Sequence, residues 1–533
     1  MLNVWGGGQL LAFSALDGPT SFEHGLVGRT SFDRIGIDLT LPGSCRLTFP
    51  GEHARDLELS GDYFRLTTPD GPVRGAYVDG LHLLIEGPCQ VSTPSPAICA
   101  LQRDNRTLVG AGVSFQPELI DANLDETLRQ RRSWLEQTLA RVPAPQQTPT
   151  LAKALAMMKA QVYSPEGRIQ HHWSTPDHWP HRQMWLWDSA FHAIGWRHVD
   201  PPLARELLSA VFDCQGADGF IPHMMNPSGN SQITQPPVLA LAACLVNASA
   251  SEPAWLAALY PKLAAYVSWD LAQRDRDGDG LAEWSIEGDP HCRSGESGMD
   301  NSARFDEATA LAAVDFNAFL ALECELLAGI AEQLGQPAQA CTWRERHAHL
   351  CQLINTYLWD AQQGFYFDYD PHKGARTGVM AGSGFLPLIC GAPSPEQAAR
   401  LAAHLQNPAT FGTPFKVATI AANDAAHYAK DMWRGPVWMN LNWLVAYGLR
   451  RYGLLDAADE LTAQTRAEIE RCYAQYGTLF EFYDDRREVD PPHLLRKGRC
   501  APKVSPYHQV FHDYGWTATL YVDMVMDQSQ KTS

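Results

Sequence analysis

The sequence predicts a mainly α-helical protein in which six helical hairpins form an (α/α)6 toroid behind an N-terminal antiparallel β-sandwich. Three observations predict it. From Met1 to about Phe115, runs such as Gly36-Ile37-Asp38-Leu39-Thr40-Leu41 and Tyr63-Phe64-Arg65-Leu66-Thr67 alternate between Pro-Gly, Gly-Asp and Asp-Gly breaks, the period of half-buried strands. From Thr150 onward the pattern lengthens into twelve helical candidates, enough for six hairpins. Between these regions, Pro143-Ala144-Pro145-Gln146-Gln147-Thr148-Pro149 breaks a helix-forming stretch. The expected division is a β-sandwich domain over 1–120, a linker helix and Pro-rich linker over 121–149, and a catalytic toroid over 150–533.

Taken in order, the β-region has no cluster of aromatics suited to a sugar-binding face, so it reads as a structural domain packed on the toroid. Asp121 to Val142, rich in Leu, Glu, Gln and Arg without Gly or Pro, is the linker helix. Helices are then expected near 151–162, 187–197, 203–214, 236–248, 254–273, 307–334, 338–358, 382–389, 395–406, 434–452, 454–473 and 508–527. In such a toroid the inner helices present their N-terminal loops to one central funnel.

Composition narrows the function classes. The 533 residues suffice for two domains, one large. Sixty acidic against 42 basic residues leave a net charge of −18, which argues against nucleic acid or an anionic membrane as partner. Twelve scattered cysteines without a C-x-x-C suit free thiols in a reducing compartment. No Lys or Arg precedes Arg29, and the longest apolar run, Val238 to Val246, is too short to span a bilayer. A soluble, cytoplasmic protein is expected.

Four stretches carry candidate chemistry. Glu296 to Asp306 places Asp300 in a polar loop ahead of a helix expected from about Glu307; taken alone, such an acid reads as a helix cap or Asx-turn. Gly477 to Asp484 holds Glu481 between Phe480 and Phe482. Trp185, Trp187 and Asp188 open a helix, either as core tryptophans with an N-cap, or as indoles over a sugar ring beside a carboxyl gripping its hydroxyls. Asp431 to Asn440 contains Trp433, Arg434, Gly435 and Trp438. Core packing does not account for Arg434, expected to hold a carboxylate of the substrate or of Asp431. Two acids with several tryptophans are what sugar chemistry requires: one carboxyl to protonate the leaving oxygen, one to activate water, and flat apolar faces for the ring.

Other features leave alternatives open. Gln235, before Pro236-Pro237, marks a helix start or offers an amide to sugar hydroxyls. Asp275, Asp277 and Asp279 resemble half a calcium loop, but Ile286 stands where an EF-hand needs its bidentate Glu. A solvated turn and a structural Ca²⁺ site both fit. Lys497 to Lys503 is a candidate to close over the funnel. His512 and Asp513 do not make a triad, since no Gly-x-Ser-x-Gly elbow accompanies them.

In order and spacing these motifs resemble the inverting α-glycosidases of the processing α-glucosidase family, family 63 of the glycoside hydrolases, with mannosylglycerate and glucosylglycerate hydrolases and trehalases as relatives. The resemblance covers roughly Leu151 to Asp527. It implies Asp300 as general acid and Glu481 as general base, with Trp187, Asp188, Trp433 and Trp438 shaping the pocket for the non-reducing sugar. It also implies a role for Gln235, and a pocket completed by Tyr514-Gly515-Trp516; some relatives carry a structural calcium. Ala303 stands where proline is expected, and Met432 where a tyrosine helps to recognise glycerate in those relatives. Those departures, with the added β-domain, favour an α-glucosidase acting on a small α-glucoside without a required cofactor. The alternatives are a glucosylglycerate or mannosylglycerate hydrolase or a trehalase. A non-catalytic sugar binder has no use for an acid and a base together, and a phosphorylase replaces the base with a phosphate site. No signature of oligomeric state is present.

Overall fold

The computed structural model describes residues 2–92, 94–498 and 509–532. The N-terminal strands are β1 (Leu10–Ala12), β2 (Val27–Thr30), β3 (Gly36–Leu41), β4 (Cys45–Thr48), β5 (Arg55–Leu59), β6 (Tyr63–Thr68), β7 (Gly71–Asp79), β8 (His82–Glu86), β9 (Gln90–Ser92), β10 (Ile98–Arg103) and β11 (Arg106–Ala111). They form two sheets, ordered β1-β2-β3-β4-β9 and β10-β11-β8-β7-β6-β5, with every pairing antiparallel. Strand alternation decides what each face meets. Phe64 and Leu66 of β6 join Ile37, Leu39 and Leu47 of the other sheet in a sandwich core. Their neighbour Tyr63 faces the opposite way, onto Leu124 and Leu128.

Those leucines belong to α1 (Leu124–Leu139). The helices that follow are α2 (Pro149–Ala160), α3 (Leu186–Trp196), α4 (Pro201–Asp213), α5 (Leu239–Ser249), α6 (Pro253–Gln273), α7 (Val314–Gln333), α8 (Pro337–Leu353), α9 (Pro387–Cys390), α10 (Pro395–Gln406), α11 (Met439–Arg451), α12 (Leu455–Tyr476) and α13 (Gly515–Thr532). Their burial sorts them. Every residue of α3 is buried, as an apolar run demands, whereas α4 buries Leu203, Leu207, Leu208 and Val211 along one stripe. The buried helices contact one another in succession: α3 packs on α5, α5 on α7, α7 on α9, α9 on α11, α11 on α13, and α13 on α3. Among the described residues, no helix is long and apolar enough to cross a membrane.

Several helix starts differ from the sequence expectation, three of them, α7, α11 and α13, ahead of the site. α7 begins at Val314, not near Glu307, because Ala312 exchanges two backbone hydrogen bonds with Tyr369 (2.9 and 3.1 Å) and holds the preceding residues extended. α11 starts at Met439 and α13 at Gly515, later than expected. The residues released remain in the loops that form the site.

The β-region is joined to the helices by buried polar contacts. Asp513 accepts from Leu10 N of β1 (2.7 Å), Lys153 Nζ of α2 (2.6 Å) and Thr478 Oγ1 (2.9 Å). Arg29 of β2 donates to the carbonyls of Asp177, Trp179 and His512. Gln9 also donates to the carbonyl of Gly477. The N-terminal sheet therefore braces the stretch that leads into Glu481.

Candidate active site

Loops ahead of α3, α5, α7, α11 and α13 meet around a cavity that brings together Asp300, Glu481, Trp185, Trp187, Asp188, Gln235, Trp433, Trp438 and Trp516. His181, Gly298, Met432, Arg496 and Tyr514 complete its wall.

The Asp300 loop is fixed from below by buried ion pairs. Glu296 accepts from Arg274 (2.6 Å), Thr234 N and Ser285 N. Arg304 is clamped between Asp315 (2.6 and 2.8 Å) and Asp368 (2.7 and 2.8 Å). Paired this fully, the buried charges rigidify the loop, since losing one partner leaves the other stranded. Gly298 adopts φ +68°, and a Cβ there would collide with the Trp187 indole, so only glycine lets this backbone lie against that ring.

The tryptophans form one packed unit. Trp433 stacks on Trp438 with centroids 3.8 Å apart at 5°. Trp187 and Trp438 both meet Trp516 edge-on, at 5.1 and 5.6 Å. Trp438 Nε1 donates to Met432 O (2.9 Å). The buried indole N–H groups of Trp185, Trp433 and Trp516 have no acceptor among the described residues, and are donors that sugar hydroxyls can satisfy.

Asp188 is not an N-cap: Trp185 holds that position, and Asp188 lies inside the first turn of α3. It accepts from Tyr514 Oη at 3.5 Å. Burial lifts its carboxyl well above the usual range, and the charges of Asp177 and Glu481 add to the effect. Gln235 Oε1 accepts from Trp187 N at 3.3 Å.

The two acids are held differently. Glu481 is buried, and Arg496 grips it through Nε (2.9 Å) and Nη2 (3.1 Å). The adjoining residues Phe482–Tyr483 pair with Val437–Trp438, which ties Glu481 to the tryptophan unit. Asp300 lies 2.9 Å from Lys497 Nζ. Burial pushes the Asp300 carboxyl up, but Lys497, with Arg496 and His181 behind it, outweighs that and holds it below the usual carboxylate range.

Two expected site residues point elsewhere. Arg434 holds neither Asp431 nor the cavity; its guanidinium pairs with both oxygens of Asp306 (2.8 and 2.7 Å) and donates to Asn301 O. With Trp433 N donating to Asn301 Oδ1 (3.0 Å), it staples the tryptophan loop to the Asp300 loop. Gly435 lies at φ +147°, where a Cβ would collide with Ala429 O; it shapes the turn and does not line the cavity. Sequence reasoning missed His181 and Arg496 as site residues, and named Lys497 only as the start of a segment expected to close over the funnel. Of the stretch Lys497 to Lys503, residues 499–503 lie outside those described. Asp275, Asp277 and Asp279 bring one oxygen each within 4.8 Å of the others, and each also accepts from a backbone N–H of its own turn.

Paired acids among stacked indoles handle a sugar, and that much is a matter of chemistry. Residues 181–517 match the family described as mannosylglycerate hydrolase MGH1-like glycoside hydrolase domain. The chain belongs to that family, and it is a glycosidase of the GH63-like type. It is similar to the mannosylglycerate hydrolase of Rubrobacter radiotolerans, 27% identical over 439 residues that span 66% of this chain and 92% of the relative. Among solved structures it is similar to the GH63 mannosylglycerate hydrolase of Thermus thermophilus in complex with Tris and D-glycerate. There the identity is 25% and the TM-score 0.58, over 70% of this chain and 99% of that one. A bacterial glucoamylase complexed with acarbose, 10% identical with TM-score 0.58, covers 98% of this chain and 95% of its own, a likeness of fold alone.

Proposed function

We propose that this glycosidase is an α-glucosidase that cleaves a small α-glucoside with inversion, with Asp300 as general acid and Glu481 as general base, in an (α/α)6 toroid. The observation that carries it is the placement of both carboxyls on one cavity walled by tryptophans. The circuit of buried helices from α3 through α13 and back supports the toroid. The pyranose stacks on the indoles, while Gln235 and a neutral Asp188 take its hydroxyls. Asp300 protonates the leaving oxygen, and Glu481 draws a proton from water on the opposite face. Inversion requires the carboxyls about 6.5–9.5 Å apart to admit that water.

One feature favours an acidic aglycone. Arg496 and Lys497 flank the two acids, and the relatives are mannosylglycerate hydrolases, one of them solved with D-glycerate. A carboxylate such as that of glycerate is what such cations attract. The reaction calls on no metal; Asp275, Asp277 and Asp279 offer three of the six to eight oxygens that a structural calcium takes.

The test is hexose release, without added phosphate, from glucosylglycerate, mannosylglycerate, trehalose, kojibiose, nigerose, maltose and isomaltose, with Asp300→Asn as the blank. Release from an α-glucoside that vanishes in the variant is expected, with the inverted anomer appearing first. Release that depends on phosphate, or the retained anomer, would overturn the mechanism.

A further inference from the structure

The proposed general acid is held against a cation. A general acid must carry a proton, yet Asp300 Oδ2 lies 2.9 Å from the Lys497 ammonium, and both side chains are only about a fifth exposed (22% and 20%). The contact is built in by backbone. Leu495 N donates to Lys430 O (3.0 Å), Met432 N to Leu495 O (3.2 Å) and Gly498 N to Asp431 Oδ2 (2.8 Å), so residues 495–498 lie against residues 430–432. Lys497 itself takes a left-handed φ of +56°, and Met432 across from it +48°. Such conformations persist only where the surroundings impose them.

We propose that Lys497 is a counter-ion lock on the acid: it holds Asp300 as the carboxylate until substrate draws the ammonium away, and only then does Asp300 take up the proton it donates. This rests on the hydrolase reading above and deepens it. An aglycone carboxylate is the group that can take Lys497 from Asp300, so the substrate's own charge arms the acid. A neutral aglycone leaves the lock in place and is turned over only at lower pH. Lys497 is thus a positioning residue, acting through Asp300.

Other groups face Asp300 as well. Arg496 adds positive charge from the same segment, and His181 shares the cavity wall from the stretch ahead of α3. His223, pushed down to about 4 chiefly by burial, is neutral at working pH, and Cys292, pushed up chiefly by burial, remains a thiol. Lys497 lies within ion-pair distance of the Asp300 carboxyl. The sign follows. Activity is lost above the pKa of the acid, so removing the cation that depresses it moves the alkaline limb upward.

The experiment is the pH dependence of kcat/KM on the best glycoside of the panel for wild type, Lys497→Met and Lys497→Arg. An alkaline limb about 1 pH unit or more higher in Lys497→Met, with the Arg variant unmoved, is the expected result. Coincident limbs in wild type and Lys497→Met would overturn the lock. A second readout needs no turnover: the Asp300 carboxylic-acid infrared band, isolated by difference against Asp300→Asn, is expected to persist to higher pH in Lys497→Met. An unmoved band overturns the lock. A wild type that releases no hexose sinks the hydrolase reading instead, while the band still decides the lock.

Discussion

Asp300 and Glu481 are countered by adjacent residues, Lys497 and Arg496. Asp300→Asn and Glu481→Gln are each expected to lower kcat by about 10³-fold, within the range of general acid–base contributions, with near-UV circular dichroism unchanged. Wild-type turnover by either variant would remove that residue from the mechanism. At this scale the gathering of the candidate site was partly legible: Trp187, Asp188, Trp433, Trp438 and Trp516, singled out through the family resemblance, line one cavity. The limit was direction. Arg434 and Gly435 share a motif with Trp433, yet one pairs with Asp306 and the other fills a turn. Spacing along a loop does not fix the face a side chain takes. Arg496 was invisible as a site residue, and the meeting of Lys497 with Asp300 unforeseen, for another reason: only tertiary folding lays residues 495–498 beside residues 430–432.

Among the elements, the loop between α6 and α7 shows how a buried ion pair orders a loop of the candidate site from outside its cavity. Arg304→Met would leave Asp315 and Asp368 without their shared cation. Denaturant unfolding is expected to show a loss of about 3–5 kcal/mol, the usual cost of breaking a buried pair, with kcat reduced as the Asp300 loop loosens. A variant as stable and active as wild type would show that this clamp is dispensable. The same loop explains the misplaced start of α7. Glu307 to Ala313 has the composition of a helix, but its pairing with Tyr369 outweighs local propensity. The long buried helices were legible because apolar runs bounded by Pro and Gly survive any packing arrangement. Their first residues were not, because loop and first turn share a composition.

At the scale of the whole molecule, the β-sandwich was legible from alternation alone, but its attachment was not. Asp513, dismissed as a triad member, proves to be the point where β1, α2 and the approach to Glu481 converge. That node has a calorimetric consequence. Heat that opens the sandwich would strip Asp513 of its β1 partner and unseat the stretch bearing Glu481, so neither region is expected to keep a melting temperature of its own. A single endotherm is expected, with a calorimetric to van't Hoff enthalpy ratio of ~1, and catalytic activity is expected to vanish along the same curve. Two resolved endotherms, with activity surviving the first, would mean that the sandwich is thermally independent of the catalytic machinery.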